Sequence, residues 1–274
     1  MAISTSSIFH FTQSFDILKS ILSEGFKVTY CLEEYIIGNG TVGLGVAMVS
    51  FADIPLSQLN QSVSNYGHYC IGLSKKWASS NHINPVLYME QNSYLSQIFC
   101  NYLELIESNP NLHIKYEMTT MGDGKVNIKN IQTPEKEIAL NMMNGLLTFI
   151  KNSNGTLVRK DKAEINNFNF YAEREWRYIP SEEDLINARF LTDIIMPKED
   201  YNVWRSKSDQ KEFFPRLALK FNVNDIAHII VDTDYEIPTI IDHIKSETNL
   251  FSNQGELELL LTKITSFEKL IKDF

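Results

Sequence analysis

The stretch NNFNFYAEREWRYIP, Asn166 to Pro180, alternates acid and base around Trp176. Its reading decides the fold, because a strand at this place must find partners from distant parts of the chain. Taken as one strand from Phe168 to Tyr178, it puts Glu173, Glu175 and Arg177 on one face and Arg174, Trp176 and Tyr178 on the other. With Trp176 and Tyr178 turned to the core, the two glutamates face a cleft or solvent together. Like charges at i and i+2 disfavour joint ionisation, and Arg177 partly relieves this. The plainer alternative is an exposed strand carrying a ladder of surface charges.

A second short strand, IFHFT from Ile8 to Thr12, stands far upstream. Alternation sets Phe9 and Phe11 on one face and His10 on the other, with Ile8 and Thr12. The plain reading of His10 is a core or edge histidine making one hydrogen bond. The sharper expectation is that a sheet brings this strand beside the Trp176 strand, so that His10 and one of the glutamates line a common hollow.

Between these strands the chain alternates irregularly. Ser14 to Glu24 predicts a helix, with Phe15, Leu18 and Leu22 on one face and Gly25 placed for its C-terminal cap. IIGNGTVGLG (36–45) reads as a mobile loop over a site, or a plain surface loop, leading to a β-like run AMVSFADIPLS that Pro55 halts. It is neither a dinucleotide fingerprint opening a helix nor a phosphate loop with its lysine. YGHYCIGLS and PVLYM predict strands. Ser93 to Ser108 predicts a helix with an apolar stripe from Leu95 to Ile106, and Pro134 to Lys151 a second one. MTTMGDGKVNIKN lies between them as a hairpin or turn on Asp123 and Gly124. Further strands are expected at 217–223, 226–231 and 257–264, and helices at 236–246 and 266–272. Strands at both ends with helices between predict a single α+β domain over 1–274, with a helical insertion at about 93–152.

Composition narrows the function. Hydrophobic residues make up 43% and charged residues 22% of 274 residues, as in a globular chain with a sizeable core. The net charge of −9 argues against capture of duplex nucleic acid by a broad basic face, though a short single strand needs only a narrow positive groove. Cys31, Cys70 and Cys100 form no CxxC pair, and the six histidines form no HxxxH pair, so no metal is expected. With no apolar run near bilayer length and no basic, apolar leader, the sequence predicts a cytoplasmic protein without membrane contact.

The ordered series FHFTQSFDILKSILSEGFKVTYCLEEY, MVSFADIPLS, YGHYCIGLSKKWA, NPVLYM and FYAEREWRYIP resembles the AbiGi family of bacterial abortive-phage-resistance proteins. Weaker echoes follow in NDIAHIIVD and near the C-terminus. That resemblance implies a part in a phage-defence or toxin–antitoxin system, with a toxin or antitoxin protein as partner. HFT in a first strand, a helix ending in ILSEGF and a glutamate opening a late strand are similar to DarT-type ADP-ribosyltransferases. This second resemblance implies an ADP-ribosyltransferase-like split β-sheet core and NAD as cosubstrate. It assigns His10, Phe11 and Thr12 to the nicotinamide-ribose end, with Ser50 and Phe51 in the second element. Glu175, or else Glu173, becomes the catalytic carboxylate, with Arg177 and Tyr178 beside it. Phe51 or Tyr178 would stack on the nicotinamide. The acceptor would be a protein or a single-stranded nucleic acid. Where the DNA-modifying enzymes carry a basic loop, Glu33 to Met48 holds no arginine or lysine, which argues against a DNA acceptor. The alternative is an antitoxin without activity that binds and neutralises its partner.

Overall fold

The computed structural model describes residues 5–37, 40–59, 65–107, 117–120, 126–129, 142, 144–157, 163–187, 194–206, 217–247 and 250–273. In chain order its strands are β1 Ser7–Thr12, β2 Phe26–Lys27, β3 Thr29–Ile37, β4 Gly40–Ala52, β5 Tyr69–Ser74 and β6 Asn84–Pro85. They continue as β7 Leu87–Met89, β8 Glu117–Thr120, β9 Val126–Lys129, β10 Ile150–Asn152, β11 Asn154–Leu157 and β12 Ile165–Asn169. The last five are β13 Glu175–Tyr178, β14 Ile195–Pro197, β15 Ala218–Leu219, β16 Ile226–Val231 and β17 Ile264–Ser266. The α-helices are α1 Phe15–Glu24, α2 Lys75–Ser80, α3 Tyr94–Glu107 and α4 Glu182–Asn187, then α5 Lys198–Ser206, α6 Ile237–Ser246, α7 Gln254–Leu261 and α8 Phe267–Asp273.

Nine strands form one mixed sheet, in the order β17-β16-β5-β1-β4-β13-β6, with β3 and β14 also paired to β4. The sheet is mixed because β16 and β17 run parallel while their neighbours are antiparallel. One face carries Ile8, Phe51, Ile71, Leu73, Ile229 and Val231 under Leu18 and Leu22 of α1 and Ile240 and Ile244 of α6. On the reverse face, Phe9, Cys70 and Ile230 pack against Phe267 of α8. A third cluster gathers Tyr35, Met89, Phe99, Tyr102, Leu147 and Ile150 beneath α3.

Local chemistry explains several boundaries. Ser14 caps α1 by accepting the Asp16 amide, and Gly25 ends it at φ +83, a left-handed value that a side chain would strain. The glycine-rich run at 36–45 is not a loop over a site. Apart from residues 38 and 39, which lie outside the described set, it forms the ends of β3 and β4, paired from Thr29↔Met48 to Ile37↔Gly40. Its glycines serve packing: a Cβ on Gly45 would stand 2.8 Å from Met196 Cγ, and one on Gly43 would stand 2.7 Å from Lys198 Cδ. Glycine here lets β14 and α5 lie close against β4.

Other expectations also change. Residues 257–264 are not a strand: Asn253 accepts the Glu256 amide to start α7, which buries Leu257 and Leu260 and ends before β17. An apolar run of this length cannot be told from a strand by periodicity alone. The strand expected at 217–223 shrinks to Ala218–Leu219, followed by a 3-10 turn at Val223–Asp225. The insertion at 93–152 is not wholly helical, since it contains the antiparallel β8–β9 pair and ends in β10, parallel to β7. Half of the helix expected at 134–151 lies outside the described residues; residues 142 and 144–147 are helical, and the expected end is the strand β10. The turn expected on Asp123 and Gly124 also lies outside them. No described helix is long and apolar enough to cross a membrane.

Candidate functional site

The stretch that opens the sequence analysis divides in two. Ile165–Asn169 is β12, Phe170–Glu173 is a 3-10 turn, Arg174 takes the left-handed φ of +47, and only Glu175–Tyr178 forms β13. The expected continuous strand is therefore wrong, and Glu173 shares no strand face with Glu175. The burial pattern is also reversed from expectation. Glu175 and Arg177 are 6% and 0% exposed, whereas Trp176 and Tyr178 are half-buried against the main core. The reversed turn at Arg174 nevertheless brings both glutamates to one cation, Lys151 on β10.

Around that cation the chain builds a buried ionic network. Arg177 donates from Nε to Glu175 Oε1 at 2.6 Å and from Nη2 to Oε2 at 3.2 Å. Its Nη2 also stands 2.9 Å from Glu33 Oε2 on β3, and Nη1 donates to the Thr148 carbonyl at 2.8 Å. Lys151 Nζ lies 2.8 Å from Glu175 Oε2 and 3.7 Å from Glu173 Oε2, and 4.5 Å from the centre of the Phe170 ring. Ser50 Oγ on β4 donates to Glu175 Oε1 at 2.8 Å. The Tyr66 hydroxyl donates to Glu173, and the Glu175 backbone amide donates to the Tyr88 hydroxyl at 2.7 Å.

Three carboxylates face two cations in a desolvated space, so their protonation is set locally. Burial works to raise the Glu175 carboxyl, but Arg177 and Lys151 overcome it and hold the group well below the usual carboxylate range. Burial pushes Glu173 up, against the opposing pull of Lys151 and the Tyr66 hydrogen bond. Burial would lower Lys151, yet Glu175, Glu33 and Glu173 keep it protonated. Burial, with Glu33 and Glu175 adding to it, pushes the neighbouring Cys31 thiol up to about 12. The two glutamates thus separate into one that stays ionised and one that holds a proton more readily, the division that acid–base sites use.

His10 does not join this network. Phe9, Ala52 and Glu175 are aligned across β1, β4 and β13, so their side chains share a face, and alternation sends His10 to the other. There its ring meets Phe26 and Phe51 edge-on, at centroid distances of 5.0 and 5.7 Å. Ser50 touches both sides: its carbonyl is 2.8 Å from His10 Nδ1, and its hydroxyl reaches Glu175. Burial lowers the His10 imidazole below its ordinary value. The common hollow expected from the sequence is absent among the described residues. Thr12 is buried, and Phe11 packs on the face away from His10. Phe51 is 2% exposed beneath Trp77, and Tyr178 donates to Asp184 at 3.2 Å.

Sequence reasoning missed Lys151, Glu33, Tyr66 and Tyr88. The sequence places Lys151 at the end of a helix, whereas it stands between the buried Ile150 and Asn152 of a strand. No local pattern marks Glu33, Tyr66 or Tyr88, because their partners lie far away in sequence. Among the described residues no group of histidines, cysteines and carboxylates could hold a metal ion.

The molecule is thus a mixed α/β protein whose most unusual feature is a closed ion network across β3, β10 and β13. Residues 25–232 match the family model described as "Putative abortive phage resistance protein AbiGi, antitoxin", and the chain belongs to the AbiGi family. It is similar to the curated "Abortive phage resistance protein AbiGi" of Lactococcus lactis subsp. cremoris, with 27% identity over 247 residues, covering 84% of this chain and 89% of that protein. No solved structure matches.

Proposed function

We propose that this chain serves phage defence as a binding protein, an antitoxin that holds and neutralises a partner toxin, rather than as an enzyme acting through Glu175. One observation carries the reading. A carboxylate offers about four acceptor positions, and Glu175 meets two donors of Arg177, one of Lys151 and one of Ser50. A carboxylate that stabilises an oxocarbenium-like sugar must face that sugar, whereas this one faces the chain's own cations. The antitoxin description of the family supports the same reading.

A second reading, transfer of ADP-ribose from NAD on an ADP-ribosyltransferase-like split sheet, draws on two observations. β1 and β4 pair at Phe9↔Ala52 alone, with His10 reaching the Ser50 carbonyl where the strands part. The Glu173 and Glu175 carboxyls are also pushed in opposite directions. The acceptor in this reading is a protein or a single-stranded nucleic acid.

The two readings separate in one experiment. The purified chain is incubated with labelled NAD and cell extract, beside Glu173→Gln and Glu175→Gln variants. The binding reading expects no label transfer from any of the three, and rescue of growth from the toxin that survives Glu173→Gln. Label transferred by the parent chain and lost in Glu175→Gln would overturn it.

A further inference from the structure

A groove of about 420 Å³ lies away from the ion network, between α2 and the segment 220–225 that follows β15. We propose that it binds a nucleoside monophosphate, a planar heterocycle carrying one phosphate. This is separate from the partner-binding reading and stands or falls without it.

Three features of the lining point to that ligand. The volume falls within the range of about 300–1,000 Å³ typical of small-molecule sites. Lys76 on α2 and Lys220 of the segment after β15 both belong to the lining. Lys76 is exposed and makes no hydrogen bond or ion pair among the described residues, while Lys220 donates to the neutral Glu24 carbonyl. An unpaired ammonium on the lining suits a phosphate held by charge-assisted hydrogen bonds. The acid of the lining, Asp225, is turned aside to accept the Asn222 backbone amide at 2.8 Å.

The remaining wall suits a ring. Phe221 is half-buried and presents an aromatic surface, braced from behind by Phe26 at a centroid distance of 5.3 Å. Three amides border it, and their hydrogen bonds leave complementary functions free. Asn81 donates to the Trp77 carbonyl at 2.9 Å and keeps its oxygen as an acceptor. Asn222 spends its oxygen on the Asp225 backbone and keeps its donors. Asn224 is exposed and offers both. Paired donors and acceptors beside an aromatic face are what the edge of a nucleobase requires, while its flat face stacks.

Calorimetric titration of the full chain with AMP, adenosine and inorganic phosphate tests the proposal, using the parent and Lys76→Glu. Because Lys76 makes no hydrogen bond or ion pair among the described residues, the variant should melt at the parent's temperature. AMP should bind the parent at submillimolar concentration, with adenosine and phosphate each weaker by about tenfold or more. Lys76→Glu should weaken AMP by about tenfold or more while leaving adenosine unchanged. Absence of AMP binding at millimolar concentration, phosphate as tight as AMP, or AMP affinity indifferent to Lys76→Glu would each overturn it.

Discussion

Arg177 is the residue on which the buried network turns, because it is the fully enclosed cation that touches both Glu175 and Glu33. Removing one partner of a buried pair costs about 3–5 kcal/mol, since the other charge is left unpaired. Arg177→Met should therefore lower unfolding stability by roughly that amount in urea titrations at neutral pH. Adding Glu175→Gln to it should recover part of the loss, giving a coupling of about 1–3 kcal/mol in a double-mutant cycle. Strictly additive losses would show that the contacts are incidental. Glu173 behaves oppositely. Its folded pKa is raised above the unfolded value of about 4.3, so its ionised form weakens the fold. That cost is absent below the unfolded pKa and grows as pH rises through the folded one. Glu173→Gln, which keeps an acceptor for Tyr66, should gain stability relative to the parent as pH rises above about 4.3, and keep that gain once the folded carboxyl is ionised. A difference that does not change with pH would remove Glu173 from the network's electrostatics.

At the scale of elements, β4 does the most organising, since it pairs with β1, β3, β13 and β14 along 13 residues. Its glycine-rich half reads as a loop from sequence because glycine is depleted in ordinary strands. The reason for the glycines lies in α5 and β14, whose Tyr201 and Met196 occupy the space a Cβ on Gly45 would need. Gly45→Val should push α5 off the sheet and destabilise by about 1–3 kcal/mol, the usual cost of overpacking. The matching readout is loss of the near-ultraviolet signal from Trp204 of that helix, which packs against Tyr30 of β3 and its helical neighbour Tyr201. A variant with unchanged stability and spectrum would show that α5 yields freely.

For the whole molecule, stability is expected to be uneven. Ile8, Ile71, Leu73, Ile229 and Val231 are all 0% exposed on three adjacent strands, β1, β5 and β16, covered by helices on both sides. Amide hydrogens of these strands should exchange slowest and only through global opening. Those of the short β11–β12 pair, where Ile165, Asn166, Asn167 and Asn169 are exposed, should exchange through local opening. Equal protection in the two sets would contradict this division. The ion network ties β3, β10 and β13 across the far side of β4.

The sequence by itself determined the elements with strong local signals. Alternation around His10 and in YCIGLS located β1 and β5, Ser14 and Gly25 bounded α1, and the run at Ile226 marked β16. The motif series that resembles AbiGi proteins also pointed to the family that residues 25–232 match. Tertiary structure alone decided the candidate site. Glu33, Tyr66, Tyr88 and Lys151 reach Glu173 and Glu175 from separate parts of the chain, and no local pattern encodes such a meeting. It also separated His10 from Glu175, because side chains alternate across a sheet and register sets which ones share a face. Register depends on how β1, β4 and β13 pair, and that pairing is fixed by the burial of the whole sheet.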